Sequence, residues 1–498
     1  MSYMGLDVGQ TGCRAVIFDE NGKQLALSYR EYKTLSPQEG WAELDSETVR
    51  DSCFTVMKEA QASCRKNPVR ALGISTQGEA FTPIGPKGEY LANAMITFDT
   101  RPAEIAKRWS EAFGVEKLYR ITGHTAHPMF SLFKLLWLKE NRGDVFGRAE
   151  KFLCFEDLIQ HALGIDPAIS WSLAGRTMLF NIRTHAWEDK ILNELSITPS
   201  HLATPLPSGT GVGTIDRDTA RGLGFQEEVL VSTAGHDQPL GALGAGVVKS
   251  GKAMYATGTS ECISPAFDGP IQSDELRDYN LCTYDYTISG MYTTAAFSLT
   301  GGNILKWFRD EWCRKEMARA SETGEDAYEL ILRDLGEKPS PLMVLPYFTP
   351  SGTPYFDTRT PGAVVGLRLS TKRSDMLRAL LEGVAFEMRL NLDILTHSGI
   401  GVEELRAIGG GARSTAWIQL KADVLNKPIT RVRVTEAACF AAAMLGCSAL
   451  TGEPVTDIAS RWVMLEGEIE PNPGNAAVYG ERFEKYRELY TLMRDFSS

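Results

Sequence analysis

The sequence predicts an α/β protein of two domains with a cleft between them, and three observations support this prediction. The chain has 498 residues, which is more than one hydrophobic core usually organises. Short apolar segments that end in glycines alternate with amphipathic segments of helical period. A strand, a glycine turn and a second strand open the chain, and a similar device recurs near residues 252–264. The recurrence predicts a duplicated unit, and we place the boundary near residue 245, which gives domains 1–245 and 246–498.

Several apolar segments are predicted to be strands because turn residues, mostly glycines, follow them. These segments are Met4–Val8, Ala15–Asp19, Val69–Ser75, Lys252–Ala256 and Leu405–Ile408. Glycines at the end of a strand let backbone N–H groups approach a phosphate closely, so we expect a ligand at these turns.

Leucines that recur at helical spacing predict the main helices. These helices cover Ser131–Glu140, Ser374–Thr396 and Tyr479–Met493. The longest run of apolar and small residues, Ala437–Leu450, is too short to span a bilayer and is interpreted as a buried helix. We therefore expect no membrane partner.

Composition excludes some classes of protein. The net charge is -11, whereas a nucleic-acid partner would require a basic face. The nine cysteines are scattered and form no CxxC pair, which argues against a zinc cage and fits a reducing cytoplasm. No basic segment followed by an apolar stretch precedes Met4, so we expect no signal peptide and a cytoplasmic protein.

Two glycine turns have the composition of phosphate-binding loops. Asp7 lies at the end of the first strand, which leads into Gly9-Gln10-Thr11-Gly12, and Thr257-Gly258-Thr259-Ser260 follows the strand at 252–256. A carboxylate at such a strand end can hold Mg²⁺, directly or through water. Each turn alone is equally consistent with a tight β-hairpin. Two of them in one chain favour a nucleotide cleft between domains.

A third cluster, Gly409-Gly410-Gly411-Ala412-Arg413-Ser414, follows the strand at 405–408. Consecutive glycines there allow an adenine ring to lie against the backbone, and the alternative is a flexible connection to the next helix. The chain has no GxxxxGK[ST] motif and no GxGxxG motif after a strand, which disfavours P-loop and dinucleotide folds.

Asp237 follows an apolar strand near Val229–Val231 and precedes a Gly- and Ala-rich segment. A carboxylate in this position can accept the proton of an attacking hydroxyl group. The local context alone favours a helix N-cap, and the two roles are compatible. The neighbouring His236 is interpreted as a structural group.

The chain resembles the FGGY family of carbohydrate kinases over nearly its whole length, and this family has the actin/Hsp70/hexokinase-like ATPase fold. Residues 129–141, which include Lys134 and Trp137, resemble the first family signature. Residues 362–367, followed by residues 375–382, resemble the second, and Gly409–Ser414 with Trp417 resembles the adenosine-binding stretch. The resemblance implies two RNase H-like domains around a deep cleft, with ATP and Mg²⁺ between them.

The resemblance also implies residue roles. Asp237 would be the catalytic base, and Asp7 would position Mg²⁺. The implied nucleotide-binding residues are Gly9, Thr11, Arg14, Gly258, Thr259, Gly301, Gly302, Asn303, Gly410, Gly411 and Ala412. The implied sugar-binding residues are Gln77, Glu79, Phe98, Asp99 and Asp237. For Gln77 and Glu79 the alternative is an exposed turn, and for Asp99 with Arg101 it is a structural salt bridge.

Gly78-Glu79 reproduces neither the Met-His pair typical of xylulose kinases nor the Arg-Glu pair typical of glycerol kinases. We expect a small sugar as the partner of ATP, first a ketopentose such as xylulose, then fuculose, gluconate or a linear polyol. A non-catalytic sugar-binding regulator and a nucleotide-gated chaperone or filament protein of the same superfamily are the rival hypotheses. A homodimer is the family expectation.

Overall fold

The computed structural model describes residues 1–497. The strands of the first half are β1 (Ser2–Val8), β2 (Gly12–Asp19), β3 (Gln24–Glu31), β4 (Glu43–Leu44), β5 (Val69–Thr76), β6 (Phe81–Ile84), β7 (Ala94–Met95), β8 (Lys151–Cys154), β9 (Ala168–Ser170), β10 (Phe180–Asn181), β11 (Ala186–Trp187), β12 (Thr204–Leu206), β13 (Gly211–Thr214) and β14 (Leu230–His236). Its helices are α1 (Ser46–Ser63), α2 (Ala103–Phe113), α3 (Val115–Thr122), α4 (Ser131–Asn141), α5 (Gly143–Arg148), α6 (Phe155–Ala162), α7 (Trp171–Gly175), α8 (Asp189–Leu195), α9 (Arg217–Leu223) and α10 (Asp237–Gly244).

The second half continues with the same mixture of elements. Its strands are β15 (Gly251–Thr257), β16 (Glu261–Asp268), β17 (Tyr284–Asp285), β18 (Met291–Thr293), β19 (Ala296–Ser298), β20 (Met343–Leu345), β21 (Ala363–Val365), β22 (Val402–Ile408), β23 (Ile429–Val432) and β24 (Leu465–Ile469). Its helices are α11 (Asp274–Asp278), α12 (Gly302–Trp312), α13 (Arg314–Thr323), α14 (Ala327–Leu332), α15 (Arg373–His397), α16 (Thr415–Leu425), α17 (Ala437–Thr451), α18 (Val455–Trp462) and α19 (Pro473–Ser497).

Two sheets repeat one topology. In the first, β1 pairs antiparallel with β2 and parallel with β5, and β5 pairs parallel with β14. In the second, β15 pairs antiparallel with β16 and parallel with β22, and β22 pairs parallel with β23. The repeat that the sequence predicts is therefore present in the topology. Each hairpin turn lies at the edge of its sheet where the neighbouring parallel strand also ends.

Helices α10 and α17 pack against each other, and α17 lies directly on β1 and β5 of the first sheet. The approach is so close that a Cβ atom on Gly5 would lie 1.9 Å from the carbonyl oxygen of Cys439. A Cβ atom on Gly73 would lie 2.0 Å from the carbonyl oxygen of Ala442. Helix α17, which belongs to the second half of the chain, therefore covers the sheet of the first half. The domain boundary that we propose near residue 245 falls between α10 and β15.

The predicted strands and helices are present, with small differences at their ends. The last helix begins at Pro473 rather than Tyr479, because proline is well tolerated in the first turn of a helix, where its missing N–H has no intrahelical partner. The apolar run at 437–450 forms the buried helix α17, as expected. Across residues 1–497, the helices lack the length and apolar character needed to cross a membrane.

Candidate active site

The first glycine turn joins β1 to β2 and is closed by a hydrogen bond of 3.0 Å from the Gly9 N–H to the carbonyl of Gly12. The Gly9 carbonyl accepts hydrogen bonds from the Tyr32 hydroxyl (2.5 Å) and from Gln77 Nε2 (3.2 Å). These contacts hold the turn while Thr11 remains exposed at its tip. A rigid turn with an exposed hydroxyl group is suited to bind phosphate oxygens.

Asp7 lies beneath this turn at the end of β1. Its Oδ1 accepts a hydrogen bond of 2.8 Å from the Ser75 hydroxyl, and its Oδ2 lies 3.8 Å from Arg14 Nε. Burial raises the pKa of this carboxyl group, while Ser75 and Arg14 oppose the rise. Arg14 Nη1 forms an ion pair with Glu436, the N-cap residue of α17, so this side chain links the first turn to the second half of the chain.

The second glycine turn joins β15 to β16. The Gly258 N–H donates to the Ser260 carbonyl at 3.1 Å, and the Gly258 carbonyl accepts from the Gly302 N–H at 2.8 Å. The Asn303 N–H donates to the Thr259 carbonyl at 3.2 Å. The structure therefore brings together two segments, Gly258–Thr259 and the start of α12, that are more than forty residues apart in the chain.

The third glycine cluster lies beside the same turn. Gly409 has a φ of 91°, and a Cβ atom there would lie 2.9 Å from the carbonyl oxygen of Thr257. A Cβ atom on Gly411 would lie 3.0 Å from the Thr257 hydroxyl group, whereas Gly410 faces open space. Ala412, the next residue, is buried. Open space above Gly410 leaves room for a planar ring.

Asp237 is the first residue of α10, and His236 occupies the N-cap position, so the N-cap interpretation of Asp237 is wrong. Its Oδ1 lies 3.3 Å from His236 Nε2, and a third of its side chain is exposed. Loss of hydration, together with the negative charges of Asp7 and Glu79, raises the pKa of Asp237 to about 7 against the opposing effect of Arg176. A carboxylate with a pKa near neutrality is suited to accept a proton.

Gln77 and Glu79 follow β5 and are buried, so the alternative of an exposed turn is wrong. Glu79 has a φ of 65°, an unusual conformation for a residue with a side chain, and such strain concentrates at functional sites. Its carbonyl accepts hydrogen bonds from the Ser131 hydroxyl (2.8 Å) and Lys134 Nζ (3.2 Å) of α4. Lys134 of the first signature motif therefore supports the backbone at Glu79, and burial lowers the pKa of this lysine to about 8.

Phe98 and Asp99 are placed differently from each other. The Phe98 side chain is 64% exposed. Asp99 is buried, its carboxylate accepts hydrogen bonds from Arg101 and from the Ala42 N–H, and the Arg101 guanidinium lies 3.6 Å from the Trp41 ring centroid. These contacts occupy the Asp99 carboxylate with structural partners, as the salt-bridge alternative predicts. Substrate contacts by Phe98 and Asp99 stay predictions.

Neither Arg176 nor Tyr284 belongs to a motif of the sequence, and the sequence context of His236 predicts only a structural role. Arg176 pairs with Glu79, and Tyr284 forms a 3.1 Å hydrogen bond with His236 Nδ1. Burial lowers the pKa of His236, which is therefore neutral at pH 7. One signal for Arg176 was available: a lone charged residue within the apolar segment 173–180 is seldom fully buried without a partner.

Comparison with known proteins shows the family. Residues 2–244 match the N-terminal domain of the FGGY family of carbohydrate kinases, and residues 253–450 match its C-terminal domain. A xylulose kinase of Staphylococcus xylosus is 25% identical, with 98% of this chain and 100% of that protein aligned. A gluconokinase of Bacillus licheniformis is 27% identical, with 100% of this chain and 96% of that protein aligned.

A crystal structure of a xyloylose kinase from Brucella ovis superposes with a TM-score of 0.90 at 26% identity and covers 100% of both chains. The expected fold of two actin-like ATPase domains around a cleft is therefore confirmed. The chain belongs to the FGGY family of carbohydrate kinases, phosphotransferases that use ATP and an alcohol group as the acceptor.

Proposed function

We propose that this enzyme transfers the γ-phosphoryl group of ATP to a hydroxyl group of a ketopentose such as xylulose, with gluconate as the second candidate. The site around Asp237 supports this proposal most directly. A carboxylate whose pKa is raised to about 7 lies beside the strained Glu79 turn, where a polyhydroxy substrate can be held. The xylulose kinase and gluconokinase relatives support the two candidates.

Asp237 is the proposed catalytic base. Phosphoryl transfer needs little covalent help from the protein, so positioning and a base close to the nucleophile account for most of its contribution. The carboxylate accepts the proton of the attacking hydroxyl group as the oxygen–phosphorus bond forms. Closure of the two lobes would exclude water, which would otherwise compete with the sugar for the phosphoryl group.

The nucleotide is proposed to lie across the three glycine turns. Gly9, Thr11 and Arg14 would contact phosphate oxygens from one lobe, and Gly258 and Thr259 would do so from the other. The hydrogen bonds from the start of α12 support this arrangement, because they tie Gly301–Asn303 to the second turn. Gly410, Gly411 and Ala412 would carry the adenosine.

Asp7 is the proposed contact for Mg²⁺. Its Oδ2 makes no hydrogen bond within residues 1–497, so one carboxylate oxygen is available to an ion or to its water shell. Mg²⁺ is usually held by one or two carboxylates together with substrate phosphates and waters, and this residue fits that requirement. When bound, the ion would neutralise phosphate charge.

The substrate can be identified with a coupled ADP-release assay over ketoses, aldonates and linear polyols. We expect one sugar to raise ADP release well above the sugar-free rate, with a ketopentose giving the highest kcat/KM. A higher kcat/KM with a sugar of another class would replace the ketopentose proposal. Nucleotide release that no sugar stimulates would favour the non-catalytic regulator instead.

The activity is expected to depend on the ionisation of Asp237. The pKa is raised to about 7, so the carboxyl group becomes protonated, and unable to accept a proton, as the pH falls through neutrality. We expect kcat/KM for the sugar to fall about tenfold per pH unit below that midpoint. Initial rates at saturating ATP measure this fall in kcat/KM. A value that stays constant from about pH 5 to pH 8 would contradict the assignment of Asp237 as the base.

A further inference from the structure

Arg176 is the charged residue of the candidate sugar site that no sequence motif indicates. Its Nε donates to Glu79 Oε1 at 2.6 Å, and its Nη2 donates to the same oxygen. The other carboxylate oxygen of Glu79 accepts a hydrogen bond of 2.8 Å from the Thr97 hydroxyl group. The guanidinium carbon lies 5.0 Å from the Phe130 ring centroid and 5.4 Å from that of Tyr284. Both members of the ion pair are therefore held by further contacts, the carboxylate by Thr97 and the guanidinium by two aromatic rings.

Gly78 provides the space that this arginine occupies. A Cβ atom on Gly78 would lie 3.3 Å from Arg176 Nε and 3.2 Å from His236 Nε2. The backbone of Gly78 does not have a positive φ, so the glycine is needed here for room and not for conformation. A side chain at position 78 would therefore press against both the arginine and the histidine that contacts Asp237.

The polar side-chain atoms of this site that have no hydrogen-bond partner include both donors and acceptors. Within residues 1–497, Arg176 Nη1 makes no hydrogen bond, and Gln77 Oε1 and both ring nitrogens of His124 also have no partner. Gln77 and His124 are almost completely buried, and buried polar groups normally find partners. Hydroxyl groups both donate and accept, so a polyol chain can satisfy such a mixture, whereas a carboxylate can only accept.

The charges around this site also disfavour an acidic substrate. Asp7, Glu79 and Asp237 interact electrostatically, and the Arg176 guanidinium is already paired with Glu79. The Lys134 ammonium group is fully buried against the Glu79 carbonyl. Burial lowers the pKa of both His124 and His236, so these rings add no positive charge at pH 7. A sugar carboxylate would therefore meet like charges, while the Arg176 guanidinium is already paired and the Lys134 ammonium group is buried out of its reach.

We propose that the Arg176–Glu79 ion pair, which lies in the space left by Gly78, determines the specificity of the sugar site: Glu79 neutralises the guanidinium, so the pair selects uncharged polyhydroxy substrates over sugar acids. This inference rests on the proposed kinase function. Arg176 Nη1 would donate to a substrate hydroxyl group while Gln77 Oε1 accepts from another. The proposal therefore ranks ketoses and polyols above aldonates of the same chain length.

The first test compares kcat/KM for matched pairs, such as a six-carbon alditol or ketose and the six-carbon aldonate. The wild-type enzyme is expected to prefer the uncharged member by at least about tenfold, because a carboxylate leaves buried donors and acceptors mismatched. A preference for the aldonate would overturn the proposal. If no compound is phosphorylated, the proposed function fails, and calorimetric binding of the same pairs still decides between uncharged and acidic ligands.

The second test is Gly78→Ala, a small change that keeps every charge. The added methyl group is expected to shift Arg176 and to raise KM for the uncharged sugar by about tenfold or more, with KM for ATP unchanged. Gly147→Ala is the matched control, because nothing lies within 4 Å of a Cβ atom at that position. An unchanged sugar KM, or an equal rise in both KM values, would contradict the proposal.

The third test removes both charges of the Arg176–Glu79 ion pair together, so that neither partner is left without the other. Arg176→Met combined with Glu79→Gln is expected to fold, and to lose the preference for uncharged over acidic sugars. Arg148→Gln disrupts only an exposed ion pair with Glu89 and serves as the control. A double variant that folds and keeps the wild-type preference would show that the pair is only structural and would overturn the proposal.

Discussion

Replacing Asp237 by asparagine is expected to lower kcat by about 10²–10⁴-fold, because the amide cannot accept the proton of the sugar hydroxyl. The shape of the site should survive the change, since the two side chains have nearly the same volume. The raised pKa indicates that the ionised carboxylate destabilises the folded state, so we expect the variant to be at least as stable as the wild type. Single-turnover rates and thermal unfolding measure the two effects separately.

Asp189→Asn is a matched control for this experiment. Asp189 is also the first residue of a helix, α8, but it is exposed and is not part of the candidate site. Its replacement changes only the interaction of a charge with a helix N-terminus, an effect of about 0.3–1 kcal/mol on stability. Wild-type kcat in the Asp237→Asn variant, with sugar-dependent ADP release intact, would exclude Asp237 as the base.

The second large effect is expected from Gly73→Ala, a change in β5 that acts on packing and removes no polar group. The new methyl group would lie 2.0 Å from the carbonyl oxygen of Ala442 in α17. The clash is with backbone, which cannot move aside as a flexible side chain does, so sheet and helix must separate. We expect a loss of stability of about 3 kcal/mol or more, the upper part of the range for overpacked cores. Chemical denaturation measures it.

Gly222→Ala is the control for this prediction. Gly222 lies in α9 with nothing within 4 Å of a Cβ atom, so alanine there is expected to stabilise the protein by up to about 1 kcal/mol through helix propensity. Gly5→Ala should behave like Gly73→Ala, because its methyl group would lie 1.9 Å from the Cys439 carbonyl oxygen. A stable Gly73→Ala protein would show that α17 is able to move away from the sheet.

The long elements of the fold were predictable because their patterns are local. The helix predicted at Ser374–Thr396 is observed at Arg373–His397, and the strand predicted at Met4–Val8 is observed at Ser2–Val8. Hydrophobic periodicity is a property of consecutive residues, so it does not depend on distant partners. The position of α17 on the first sheet was not predictable, since nothing in residues 437–451 indicates which sheet covers them.

The sequence by itself determined the α/β class, the duplicated hairpins with their glycine turns and, through the family signatures, the residues proposed for ATP and for the base at Asp237. Tertiary structure alone decided that Arg176 enters the space at Gly78, that Lys134 supports the Glu79 carbonyl, and that α17 joins the two halves. These contacts link segments about fifty to several hundred residues apart. Such contacts depend on how whole elements pack, whereas turns and periodic segments depend on neighbours in the chain.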